Sequence, residues 1–391
     1  MDLGLTEEQQ MLREFARDFL EKECPEQHVR DMEEDERGYS QELWRKMAEQ
    51  GWPGLVIPDT YGGVGMTYLD LVILIEEFGR ALVPGPFISN CVATLALLDA
   101  GSEQQKQEYL PLLASGTQFW TLAFTEPSAR FDAGGVQLRA TRDGDAYVLN
   151  GTKLFIRDSH TADRLVVVAR TGGPSTSSGE SPSTSSGGSD GDDGISLFIV
   201  DAGAAGISQN PILTISSERQ NEIKFANVRV PAANLMGPEG KAWPVFKKIA
   251  NKATVLECAY LVGLTQMAFD ITLNYTKERV QFGRPIASFQ AMQHKAADIV
   301  TDVDGSRYIT YLAAWAVAED DDDADEQTHV AKAWVSEASR RTVAQCQQMH
   351  GGIGFTKDYR IQLYYRRQKA AELAWGDADY HRDKVGQLLG V

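Results

Sequence analysis

FWTLAFTEPSARFDAGGVQLRATRDGDAYVLNGTKLFIRDSHTADRLVVVAR, residues 119–170, is where the texture of the chain changes. WTLAF, YVLNG, KLFI and RLVVVAR are short runs rich in β-branched and aromatic residues, broken by Gly, Asp and Asn. Runs of that kind bounded by turn residues read as strands. ISLFIV (195–200) and EIKFANVRV (222–230) continue the pattern and delimit a middle β domain over 119–232, a sandwich or a barrel. Inside it lies GGPSTSSGESPSTSSGGSDGDDG (172–194), nearly devoid of apolar residues. It cannot bury enough surface to order itself, so a flexible hairpin loop is expected there.

On the N-terminal side, residues 1–118 read as helical. Thr6 and Gln9 make a capping box, followed by an apolar stripe of Met11, Leu12, Phe15, Phe19 and Leu20. LDLVILIEEF (69–78) is apolar on most of its circumference and is expected to be a central helix. IPDTYGGVGM (57–66) is glycine-rich, but it follows no strand and has no GK[ST], so it reads as a helix connection. On the C-terminal side, 233–391 is helical again, with runs near 241–278, 288–318, 327–349 and 359–389 that predict a four-helix bundle. The acidic block 319–326 reads as a solvated loop between two of them. The fold class is α+β, with helices, then a β domain, then helices.

The chain has 391 residues, which suits two or three domains. Its 38 Lys+Arg against 55 Asp+Glu give a net charge of −17, which argues against nucleic-acid or anionic-membrane partners. Cys24, Cys91, Cys258 and Cys346 are far apart, with no CxxC, which implies a reducing compartment. The six histidines form no HxxxH or HExxH, so no metal site is expected. The first 23 residues are acidic and amphipathic, unlike a signal or transit peptide, and no apolar run reaches ~20 residues. A cytoplasmic location is expected.

Six stretches in this order resemble the acyl-CoA dehydrogenase family over the whole chain. IPDTYGGVG is similar to an early helix connection, and GSEQQKQEYLPLLASG (101–116) to a GxxxQKxxYLPxLxxG signature. FTEPSARFD (124–132) resembles the TEPxAGSD flavin loop, and LNGTKLFI (149–156) the LxGxKxxI strand after it. RVQFGRPIASFQAMQH (279–294) resembles RxxFGxPIxxFQxxxH, and QMHGGIGF (348–355) resembles QxxGGxGF. The resemblance implies FAD as cofactor, an acyl-CoA substrate and an electron-transfer flavoprotein as acceptor. It implies Thr125 on the flavin pyrimidine edge and Phe155 stacked on the flavin. Arg279, Phe282 and Gln290 would hold the FAD diphosphate and adenine across a subunit boundary, and Gln348, Gly351 and Gly352 the adenosine side. Guanidinium suits a diphosphate, and glycines let backbone come close. A split site of that kind implies a tetramer.

The family reaction is an α,β-dehydrogenation. A carboxylate takes the α-proton, and the β-hydrogen leaves as hydride to the flavin. The base is typically a Glu before a Gly in the last helical region, where RRQKAAELAWGDADYHR (366–382) places Trp375 before Gly376. A second family location falls on Ala253, so both usual places are empty. Glu257 lies one turn after Ala253 on an apolar face with Leu261 and Leu264, where a carboxylate tends to a raised pKa. It is the candidate base; pairing with a cation across a subunit interface or recognising a polar substrate group are the other readings. Asp377 replaces the family Thr beside the flavin, while Glu372 and Asp379 read as surface or capping carboxylates. Arg130 and Phe131 replace the usual Gly-Ser, and Arg157 replaces a Thr that reaches flavin N5. Arg130, Asn251 and Trp375 are candidate substrate contacts. The departures resemble a bacterial side branch of the family. They leave three expectations: a dehydrogenase with a relocated base, a subunit completed by a paralogue in a heterotetramer, or a flavin-assisted lyase or desulfinase.

Overall fold

The computed structural model describes residues 4–172 and 194–391. Six helices come first: α1 (Glu7–Glu23), α2 (Glu26–Glu34), α3 (Gln41–Glu49), α4 (Tyr68–Ala81), α5 (Phe87–Ala100) and α6 (Glu103–Ala114). Thr6, Thr67 and Ser102 each cap a helix with the side-chain oxygen and donate their own N–H to the side chains of Gln9, Asp70 and Gln105. These reciprocal bonds satisfy backbone donors that a helix start leaves orphaned. α4 is buried almost all round, as its composition requires. The stripe expected on α1 is only partly inward: Leu20 is buried and Leu12 and Phe19 are half-buried, whereas Met11 and Phe15 are exposed.

The strands of the middle domain are joined in one hydrogen-bonded sheet. Its strands are β1 (Trp120–Ala123), β2 (Arg139–Asp143), β3 (Ala146–Arg157), β4 (Arg164–Arg170), β5 (Ile195–Asp201), β6 (Ile207–Ile212), β7 (Gln220–Pro231) and β8 (Leu235–Met236). The order is β6-β7-β3-β2-β4-β5-β8, with β1 parallel to β4. β4 and β5 pair antiparallel, Arg164 opposite Asp201 through Arg170 opposite Ile195. Thr171 N–H donates to Gly194 C=O at 2.8 Å, continuing that ladder. The loop expected at 172–194 lies outside the described residues, apart from its two end glycines.

The C-terminal helices are α7 (Trp243–Glu278), α8 (Gln290–Ala318), α9 (Ala324–His350), α10 (Ile361–Ala371) and α11 (Ala378–Leu389), with a two-strand arm, β9 (Val280–Gln281) and β10 (Arg284–Pro285), after α7. The fourth helix expected over 359–389 is thus two helices. The chain breaks between them with Trp375 at φ 61° and Gly376 at φ 104°, and Asp377 restarts the helix by accepting from Tyr380 N–H at 2.9 Å. The acidic block is only half loop, because Ala324–Glu326 form the first turn of α9, where acidic side chains suit the helix dipole. α4 and α7 cross with backbones in close approach: a Cβ on Gly79 would strike the Tyr260 carbonyl, and one on Gly263 the Glu76 carbonyl. Glu76 accepts from Arg307 at 3.0 Å and Tyr311 at 2.7 Å, tying α4 to α8. Among the described residues, no helix is long and apolar enough to cross a membrane.

Candidate active site

A cavity of about 590 Å³ lies where the middle domain meets the helices. It gathers Thr125, Phe155, Arg157, Glu257, Trp375 and Asp377, six candidates from four separate stretches of chain. Aliphatic side chains are the most numerous on its wall, and five aromatic ones, Phe124, Phe131, Phe155, Trp375 and Tyr380, join them.

The wall from the middle domain is built around Lys153. Its side chain is wholly buried and its ammonium donates to Phe124 C=O at 2.9 Å and Glu126 Oε1 at 2.7 Å. Glu126 also accepts from the N–H groups of Gln137 at 2.8 Å and Leu138 at 3.0 Å. Leu154 N–H donates to Thr125 C=O at 2.8 Å. Thr125 is therefore fixed on both sides and by its own carbonyl. Burial pushes Lys153 down to about 8, against the pull of Glu126. Neither Lys153 nor Glu126 stood out as a site residue in the sequence, although each occupies a fixed position of a quoted motif. Two residues on, β3 bulges against β7 between Lys153 and Ile156, and Phe155 takes φ 57°. The bulge re-aims the ring, which is half exposed on the cavity wall.

Arg157 ends β3 and forms an ion pair with Glu257 of α7. Glu257 is 1% exposed, and its second oxygen, Oε2, is buried without a hydrogen-bond partner among the described residues. Burial raises the Glu257 pKa, while the Arg157 charge opposes it. Next to this pair Asp158 accepts from Ser89 at 2.6 Å and is pushed up to about 6 by burial. Glu257 sits on the same buried face as Ala253, Leu261 and Leu264, as the helical spacing requires.

The opposite wall is the α10–α11 break. The Trp375 ring lies nearly parallel to Phe124, centroids 6.3 Å apart and planes at 12°. Asp377 spends its carboxylate on capping α11. Glu372, expected as a surface or capping carboxylate, is the C-cap residue of α10; it is 6% exposed and accepts from Gln368 at 2.7 Å, Arg340 at 3.1 Å and Lys369 at 3.3 Å. Its charge is drawn inward by these three donors. Asp379 is exposed.

The remaining candidates lie elsewhere. Asn251 does not line the cavity; it faces α9 and donates to Asp325 at 3.0 Å. Arg130 is exposed on the loop between two cavity-lining residues, Ala129 and Phe131, and pairs with Asp132 at 2.7 Å. Arg279, Phe282, Gln290, Gln348, Gly351 and Gly352 are all exposed in the single chain. They form two segments at one end of the bundle, because Tyr275 near the end of α7 stacks on His350 at the end of α9, centroids 4.4 Å apart.

Family models match the chain in order: "Acyl-CoA dehydrogenase, N-terminal domain" over residues 6–117, the middle domain over 121–228 and the C-terminal domain over 240–390. The chain is 34% identical to "Probable acyl-CoA dehydrogenase YngJ" of Bacillus subtilis, covering 100% of each. It is 33% identical to "Caffeyl-CoA reductase-Etf complex subunit CarC" of Acetobacterium woodii, covering 98% of each. It superposes on butyryl-CoA dehydrogenase from Megasphaera elsdenii with TM-score 0.88 and 27% identity over 100% of each chain. With all three domains matched in sequence order and such relatives covering its full length, the chain belongs to the acyl-CoA dehydrogenase family, FAD-dependent oxidoreductases that act on acyl-CoA.

Proposed function

We propose that this chain dehydrogenates an acyl-CoA thioester between Cα and Cβ, with Glu257 as the base. The observation that carries the reading is the state of Glu257 on the cavity wall: one oxygen held by Arg157, the other buried without a partner. The residues present fit FAD, since a mostly apolar cavity offers the polar edge of Thr125 and the exposed ring of Phe155 to a flat ring system. Arg279, Gln348, Gly351 and Gly352 would hold the diphosphate and adenosine of a neighbouring copy's FAD, in a homotetramer or a heterotetramer with a paralogue. Bound FAD supplies an acceptor for the β-hydrogen and its electron pair. Glu257 Oε2 takes the α-proton. Burial makes its carboxylate a stronger base, and Arg157 orients it. Once Glu257 is neutral, the Arg157 charge is left to face the negative charge developing on the substrate. An electron-transfer flavoprotein is the proposed acceptor, supported by the relative named as part of an Etf complex.

A second reading rests on Trp375, which occupies the position where the family resemblance places the base and cannot accept a proton. The chain would then bind FAD but need a paralogue for turnover. Anaerobic addition of straight-chain and cyclic acyl-CoAs to the purified flavoprotein separates the two. Bleaching of the flavin band by this chain alone supports the first reading, and a band that never bleaches supports the second. Glu257→Gln should slow bleaching by roughly 10²–10⁴-fold. A variant that bleaches as fast as the parent removes Glu257 from the reaction.

A further inference from the structure

Two buried side chains hold the backbone of the α10–α11 break, and the chemistry proposed above uses neither. Lys332, on α9, is 0% exposed. Its ammonium donates to the carbonyls of Glu372 at 2.7 Å, Gly376 at 3.1 Å and Ala371 at 3.4 Å, and to Ser336 Oγ at 3.1 Å. His381, on α11, is 1% exposed, and its Nε2 lies 3.1 Å from the Trp375 carbonyl. A carbonyl only accepts, so Nε2 carries a hydrogen. Burial, with the Lys332 charge, pushes His381 down to about 2, so the ring is neutral and its Nδ1 is an acceptor. That Nδ1 is 2.7 Å from His329 Nδ1, which must then donate. His329 Nε2 faces Asp325 at 3.6 Å, and Asp325 accepts from Asn251 at 3.0 Å. An oriented pair of hydrogen bonds therefore runs from His329 on α9, through His381, to the carbonyl of Trp375.

What is held this way is strained. Trp375 has φ 61°, a conformation a bulky residue keeps only where its surroundings over-determine it. The result is an indole laid along the cavity wall beside Phe124.

We propose that Lys332 and His381 are positioning residues for Trp375, and that Trp375, so held, selects acyl groups by shape, admitting slender chains and rejecting bulky branched or cyclic ones. This rests on the reading that the cavity receives the acyl group. A wall residue acts on the relative rates of two substrates, whereas general loss of structure lowers both together. The test is a double-mutant cycle on the FAD-loaded protein, reading kcat/KM for a straight-chain and a ring-bearing acyl-CoA. Trp375→Ala should shift the ratio toward the ring-bearing substrate by about tenfold. Lys332→Met should shift it in the same direction, and should leave it unmoved when Trp375 is already Ala. His381→Gln, which removes one contact to the break, that to the Trp375 carbonyl, against three for Lys332, should give a smaller shift of the same sign and serves if Lys332→Met fails to fold. An unchanged ratio in Trp375→Ala overturns the selection. An equal shift from Lys332→Met with and without Trp375 overturns the positioning. The same ratios can be read as acyl-CoA binding constants from the change in the flavin band. That readout survives a failure of Glu257 as base, so the two failures are distinguishable.

Discussion

Each wall of the cavity is backed by a buried lysine, and the two are buried on different terms. Lys153 meets a carboxylate, Glu126, at 2.7 Å, and that carboxylate is itself fixed by two backbone N–H groups. Lys332 meets three carbonyls and a hydroxyl, with no carboxylate of the described residues within hydrogen-bond reach. Burial lowers the pKa of both. An ion pair in a dry site is hard to break because either partner alone is left charged and unsolvated. A lysine on carbonyls can be removed with only neutral acceptors left behind. The middle-domain wall therefore behaves as a fixed scaffold, and the helical wall as a part that can be altered without collapse.

Breaking the scaffold side should have the larger effect. Lys153→Met strands Glu126 and should cost about 3–5 kcal/mol in urea unfolding, most of it recovered when Glu126→Gln is added. If the double variant is no better than the single, the loss comes from packing and the contrast between the walls fails. Lys332→Met should cost less, about 2 kcal/mol, because the groups it leaves are neutral. A cost equal to that of Lys153→Met would erase the distinction. The smallest effect sharpens the helical side. His381 is held neutral in the fold, lowered from 6.5 to about 2, so the unfolded chain binds the extra proton. Its stabilising share is complete above pH 6.5 and is lost as pH falls below that, by at most about 1.4 kcal/mol per pH unit. Thermal melts of His381→Gln should fall less steeply than the parent between pH 6.5 and 5.

The two walls also differ in how far they could be read from the chain. The flavin-loop motif and the strand after it carry Thr125 and Phe155, each expected against the flavin by resemblance, and both line the cavity. The helical periodicity of Ala253, Glu257 and Leu261 put Glu257 inside. What could not be read was its partner, because Arg157 lies 100 residues away and its approach depends on how β3 packs against α7. The helix break was missed because Gly376 is the only strong breaker near it, and one glycine is tolerated inside a helix. Lys332 looks like an ordinary surface charge on a helix. The faint signal was its company: Thr328, Ala331, Val335 and Ser336 share its buried side, a stripe too small to cover a long side chain on its own. Its three carbonyl acceptors come from the end of α10 and the break after it, 39 to 44 residues later, beyond any local pattern.

The glycine crossing of α4 and α7 bears on how such a protein can diversify. Glu257 sits two turns before Gly263 on the helix whose backbone touches α4 there, so any side chain at Gly79 or Gly263 would drive the helices apart and carry the carboxylate with them. A lineage exploring new substrates has little freedom at that crossing. Its cheap steps lie across the cavity, in the short break around Trp375, where a changed residue alters the shape of the chamber and leaves the proton acceptor where it was.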